Sequence, residues 1–168
     1  MIKRCIMAGL AATMLAFNAH AEPVAGGTAN VLLQPEPPGL MLGIVQNAPA
    51  QMVGGNIYEG LLRYGKDMEP MPQLATSWEV SEDGTIYTFH LRDDVTWHDG
   101  KPFKADDVVF SADVFLRETH SRFRTVLKRV EKIEAVDDYT VRFILKEPFD
   151  PFLKVFEPLT MPMVPRHI

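Results

Sequence analysis

The sequence predicts a mixed α/β fold, α+β in arrangement, on three observations. Two Asp-Gly pairs, Asp83-Gly84 and Asp99-Gly100, bracket a run in which Tyr87, Phe89 and Leu91 alternate with Ile86, Thr88 and His90. An Asp-Gly pair between apolar runs marks a tight turn, and a period of two marks a strand with one apolar face. From Ala105 to about Thr119 the period changes, with Val108, Val109, Ala112, Phe115 and Leu116 at helical spacing. Further on, Tyr139, Val141, Phe143 and Leu145 share one face of a strand, and Thr140, Arg142 and Lys146 share the other.

The elements follow in chain order. Met1-Ile-Lys-Arg4 is a basic start, Cys5 to Phe17 is an apolar run, and Ala19-His-Ala21 fits a small-x-small cleavage site. Residues 1–21 therefore read as a signal peptide cleaved after Ala21, which removes Cys5 and leaves no cysteine. Asn30 to Leu33 is a strand candidate. Gln34 to Leu42, with Pro35, Pro37, Pro38 and Gly39, is an irregular loop, because proline fixes φ and supplies no N–H. Ala50 to Leu62 has the apolar spacing of a helix. Gly65 to Glu69 is a polar turn. Val95 and Trp97 read as a second short strand after Leu91. Lys104 precedes the long helix as a weak cap, since lysine cannot accept the capping hydrogen bond, while Asp106 and Asp107 suit the first turn. Phe123 to Lys128 is irregular or a short helix. Val130–Val136 and Tyr139–Lys146 pair around Asp137-Asp138, and Phe152–Phe156 is a short helix.

With 168 residues, 46% hydrophobic and 23% charged, the chain has an ordinary globular composition for about one domain. A net charge of −5 gives no reason to expect nucleic acid or an anionic membrane surface as a partner. His98 and Asp99, with His90 close in sequence, invite a metal site. Three or four ligands are needed, and no spaced His or Cys motif supplies them. Asp93-Asp94 and Asp106-Asp107 could be paired carboxylates. Neighbours on a strand or helix diverge, so these are expected to be solvated charges of turns and a helix start. Trp78, Tyr87, Phe89 and Trp97 are expected in a core before a ligand pocket. The expectation is no catalytic residue, no metal and no cofactor.

The run from Ala75-Thr-Ser-Trp-Glu79 through Asp83-Gly84, Tyr87-Thr-Phe-His-Leu-Arg92, Trp97-His-Asp-Gly100 and Ala105-Asp-Asp-Val108 to Ser111 resembles the family 5 extracellular solute-binding proteins. These are peptide receptors of bacterial ABC importers, with nickel- and haem-binding relatives. The resemblance implies a periplasmic protein of the type II binding-protein fold, seen incompletely. Residues 22–53 would open lobe I, 54–160 would form its small subdomain, and 161–168 would return to lobe I, with more sequence following in the family. Implied partners are a peptide or similar small solute and the ABC permease subunits of the inner membrane, with the receptor a monomer. Backbone contacts to a peptide are implied at Gln46, Asn47 and Ala48. Asn56-Ile-Tyr-Glu-Gly-Leu-Leu62 resembles the family's helix-to-strand junction, which implies a helix end at Gly60 and a strand starting at Leu61 to Tyr64. The family's Leu-Asp-Pro is replaced here by Gly39-Leu40-Met41. A small exported stand-alone interaction domain, or an exported enzyme, is the other reading.

Overall fold

A computed structural model of the protein describes residues 26–168. The expected signal segment, its expected cleavage after Ala21 and Cys5 lie outside the described residues. Leu33–Ile168 form one compact unit.

Four antiparallel strands carry the core. The Ser81–Thr85 turn joins β3 (Ala75–Val80) to β4 (Ile86–Leu91), and Gly84 takes the positive φ of 69° that the Asp-Gly pair predicted. Asp83 pins this turn by accepting from the hydroxyls of Ser81 and Thr85. These hydrogen bonds, Ser81's first, hold its pKa below the usual carboxylate value. β5 (Val130–Asp137) and β6 (Thr140–Leu145) form the second hairpin. The sheet order is β3-β4-β6-β5, so β6 lies beside β4, with Phe89 opposite Val141 and Tyr87 opposite Phe143. The neighbour of β4 is therefore β6, not the Val95–Trp97 segment. That segment makes only an isolated bridge, Thr96 with Pro102, because Gly100 at φ 84° turns the chain back at once.

The inward faces are those the alternation predicted. Tyr87, Phe89, Leu91, Val141, Phe143 and Leu145 are buried. Phe89, Phe143, Phe152 and Phe156 form one aromatic cluster with centroids 4.4–5.9 Å apart, mostly edge-on. Edge-on contact sets the positive ring edge against the negative face. Phe152 and Phe156 reach it from a 3-10 helix, Asp150–Val155, where the short Phe152–Phe156 helix was expected.

The long helix occupies the predicted span but changes geometry within it. It is α-helical over α2 (Ala105–Val109), widens to a π-helix over Phe110–Leu116, and closes as α3 (Arg117–Thr119). Val108, Ala112 and Leu116 are buried. In π geometry each N–H reaches back five residues instead of four, which brings residues five apart, such as Phe110 and Phe115, towards one side. α4 (Ser121–Leu127) settles the uncertain segment after it as helix, anchored by Phe123 and Leu127.

Three expectations are corrected. Asn30–Leu33 is not a strand: Val31 and Leu32 are 70% and 86% exposed. An apolar run becomes a strand only when a neighbour takes its N–H and C=O groups, and none does among the described residues. The first helix is not Ala50–Leu62 but α1 (Ala48–Gly54), which ends at Gly55. Gly60 is therefore no helix cap. It lies where the chain enters β1 (Leu62–Tyr64), which pairs with β2 (Pro70–Pro72). A Cβ on Gly60 would collide with the backbone carbonyl of Phe156 and crowd Glu157 and Pro158. Gly60→Ala is therefore expected to cost about 1–3 kcal/mol, the usual range for overpacking. Denaturant unfolding of this variant checks it; a midpoint equal to the parent's would show that the crossing is loose.

Candidate functional site

The described residues form a groove of about 670 Å³. Four parts of the chain wall it. Met41 and Ile57–Glu59 come from the chain entering the sheet, Val95–Asp99 from the second Asp-Gly turn, Phe110 and Phe115 from the π segment, and Met163–Pro165 from the chain leaving the sheet. The walls are overwhelmingly apolar. Tyr58 sits with its hydroxyl 3.2 Å from the Met41 sulfur, and burial raises its pKa. Gly43 lets the entering loop lie on Phe115, where any Cβ would overlap the ring.

Asp107 braces these walls. It is only 6% exposed, so the expectation of a solvated helix-start charge fails for it. The reason is long-range: Arg166, 59 positions later, donates its backbone N–H to Oδ1 at 2.9 Å. Oδ2 accepts from the Trp97 indole at 3.1 Å and from the Lys104 N–H at 3.0 Å. Lys104 itself makes no side-chain cap, as expected, and Asp107 closes the first turn from its third position. The Lys104 ammonium instead pairs with Asp138 at 2.6 Å. Ser111, one turn on, accepts from the Val164 N–H at 2.9 Å, and its hydrogen lies within reach of the Asp107 carbonyl at 2.7 Å. Asp107 and Ser111 thus tie the leaving segment to the helix, while Trp97 stacks edge-on to Phe103 at 5.7 Å.

The other singled-out residues do not converge. Asp99 shapes its turn by accepting from the Lys101 N–H, as expected, and also meets His167 at 2.7 Å. That hydrogen bond is the main reason its pKa is held down. His90 lies on the sheet, 3.9 Å from Glu79, away from Asp99. His98 lines the groove and is exposed. Asp94 pairs with Arg92, and Asp106 with Arg166. Among the described residues no three His, Cys, Asp or Glu side chains are placed to hold a metal. Tyr87 and Phe89 are core; Trp78 and Trp97 are only partly buried, and Trp97 also walls the groove.

Gln46, Asn47 and Ala48 lie at the start of α1 and do not line the groove. The Asn47 side chain caps α1 by accepting from Ala50 at 2.9 Å, and the Gln46 carbonyl accepts from the Gln51 amide. Asn47 and Ala48 are exposed. Sequence reasoning missed Asp107, Ser111 and Gly43 as structural members of the site. The one available signal was an acidic residue at the third position of a helix whose cap residue cannot accept.

Residues 69–167 match the model of the bacterial extracellular solute-binding proteins, family 5 Middle. The chain belongs to that family. It is 42% identical over 104 residues to a dipeptide-binding protein of Escherichia coli, covering 51% of this chain and 19% of the relative. It is 33% identical over 151 residues to a glutathione-binding protein of Salmonella typhimurium, covering 88% and 28%. Among solved structures, a periplasmic binding protein of Helicobacter pylori in complex with a peptide superposes at TM-score 0.66 with 30% identity, covering 79% of this chain and 30% of that one. A binding protein of A. tumefaciens in complex with agropinic acid reaches 0.72 with 32% identity, covering 79% and 27%. These are type II periplasmic binding proteins, so the mixed helix-and-sheet fold of this family 5 chain is a part of that architecture. The chain spans 19–28% of the length of these two curated relatives.

Proposed function

We propose that this family 5 chain is part of the solute-binding component of a bacterial ABC importer for peptides or similar small solutes, a binding protein and not an enzyme. The observation that carries this is the ordered match from Glu69 to His167, which includes the sheet, both Asp-Gly turns, and the second turn, π segment and leaving segment that wall the groove. The protein would work in the periplasm after loss of residues 1–21, as a monomer, and would deliver its solute to the permease subunits in the inner membrane. Residues 22–53 would open a lobe, 54–160 would form its small subdomain, and 161–168 would lead back to the lobe.

The groove is too apolar to orient a peptide backbone, which needs hydrogen-bonding partners. We therefore keep Gln46, Asn47 and Ala48 as main-chain contacts to the solute. Asn47 and Ala48 are exposed, and backbone contacts tolerate varied side chains; the Gln46 and Asn47 carbonyls are already engaged by Gln51, which leaves the N–H groups for the solute. The Asn47 side chain is already used by its cap.

Deletion of the gene in its host is expected to lower uptake of a labelled dipeptide, tripeptide or glutathione at low concentration by roughly an order of magnitude or more, since capture of dilute solute would be lost. Unchanged uptake of all three would overturn the peptide reading. A clamp closes on its ligand only with both jaws. Residues 22–168 alone are thus expected to bind these solutes more weakly than about 1 μM in calorimetry. One observation favours the second reading, a stand-alone exported interaction domain: Leu33–Ile168 are compact by themselves. An intact mass from the host matching residues 22–168, together with unchanged uptake, would select it.

A further inference from the structure

His120 lies outside the groove. It is 1% exposed and stands in extended conformation between α3 and α4. Its ring turns forward to cap α4, with the Phe123 N–H donating to Nδ1 at 3.1 Å. A ring nitrogen that accepts a hydrogen bond carries no proton, so the neutral ring holds its hydrogen on Nε2. Nε2 is buried without a hydrogen-bond partner of good geometry, on the side of the Leu159 backbone. The charged groups acting on the ring are Arg122 on its own helix and Glu157 on the turn that follows the 3-10 helix. Glu157 is itself engaged, accepting from the Thr160 hydroxyl at 2.6 Å and the Leu159 N–H at 3.2 Å.

We infer that His120 is an acid-sensitive latch on α4. When the Nδ1 lone pair takes a proton from solvent, the Phe123 N–H loses its acceptor and a cation is left in the interior. Both changes favour release of α4. The helix has only seven residues, too few to be stable in isolation, so it depends on its cap and its two anchors, Phe123 and Leu127. The turn covering the ring, Glu157–Met161, runs on into Met163 and Val164 of the groove wall, so loosening at α4 reaches that wall.

The direction agrees with linkage. Burial, the largest cause, keeps the folded-state pKa below the ordinary 6.5, with Leu159 and Glu157 opposing and Arg122 assisting. The folded protein therefore binds this proton less readily than the released helix does. The contribution of the neutral ring is fully present above the ordinary value and is lost as pH falls from there through the folded pKa.

Amide hydrogen exchange of the full chain, corrected for the intrinsic effect of pH, tests this. Between pH 7.5 and 5.5, residues 121–127 are expected to exchange about tenfold faster, while β4 and β6 hold, as local opening requires. His120→Asn, which keeps a side-chain acceptor but does not titrate, is expected to abolish the change. Exchange of α4 that is flat with pH, or that rises equally in β4 and β6, would overturn the latch. Should the variant not fold, nitrogen-15 spectra of the parent His120 ring decide: the latch requires the Nε2–H tautomer at pH 7.5, and a ring that is already cationic or protonated at Nδ1 removes it.

Discussion

Asp107→Ala is expected to destabilise the protein by about 3–5 kcal/mol, by removing a buried carboxylate that three partly buried donors share. The Trp97 indole, the Lys104 N–H and the Arg166 N–H all end on this carboxylate at 2.9–3.1 Å. Each donor left unpaired away from water costs about 1–3 kcal/mol, reduced where the site relaxes to admit solvent. One of the three, Trp97, belongs to the groove wall, and Arg166 directly follows the wall residues Met163–Pro165, so the loss is more than global. Trp97 is expected to become more exposed, with its emission shifted to the red. Asp107→Asn keeps one acceptor oxygen but introduces donors facing N–H groups, and is expected to recover only part of the loss. The checks are a urea midpoint and Trp emission. A midpoint within about 0.5 kcal/mol of the parent's, the range of ordinary surface substitutions, would mean that solvent replaces the carboxylate. Asp106→Ala is the comparison, because Asp106 and its partner Arg166 are exposed and exposed pairs contribute about 0–1 kcal/mol.

Phe143→Ala is expected to cost a similar amount, about 3–5 kcal/mol, by a different route. Phe143 is fully buried on β6 and packs edge-on against Phe89, Phe152 and Phe156 at 4.9–5.9 Å. The cost combines lost apolar burial with a cavity that the remaining rings fill only partly. On a chain of this size the shift in thermal midpoint is expected to be about 10 °C or more. Phe143→Leu, which keeps most of the volume, is expected to lose less than half as much. Val114→Ala, at an exposed position on the π segment, is expected to be near neutral. Equal losses for Phe143→Leu and Phe143→Ala would show that ring geometry outweighs volume. Phe152 and Phe156 precede the leaving segment, so calorimetry on Phe143→Ala also reports whether the core holds the groove wall in place.

The two substitutions separate what was legible in the residues from what was not. Phe143 could be placed in the core from alternation alone, because side chains on a strand point to opposite faces in turn and one face must leave water. The same rule placed Tyr87, Phe89, Val141 and Leu145. Gly84 and Gly100 could be read as turns because an Asp-Gly pair states its local conformation. The span of the long helix followed from its period, and the family from a run of motifs, since both are local in the chain.

Asp107 could not be read that way. Its neighbours in sequence make it a helix-start charge, and only Arg166 and Trp97, arriving from other parts of the chain, bury it and use it. The same holds for Gly60, whose need for a missing Cβ comes from Phe156, and for the Asp99–His167 contact. The strand expected at Asn30–Leu33 failed for the converse reason, since pattern supplies the apolar residues but not the partner. Local periodicity is set by backbone geometry and by the removal of apolar surface from water, both of which act residue by residue. Sheet order, the groove and the burial of Asp107 are set by contacts between segments tens of residues apart, and those exist only once the chain has folded.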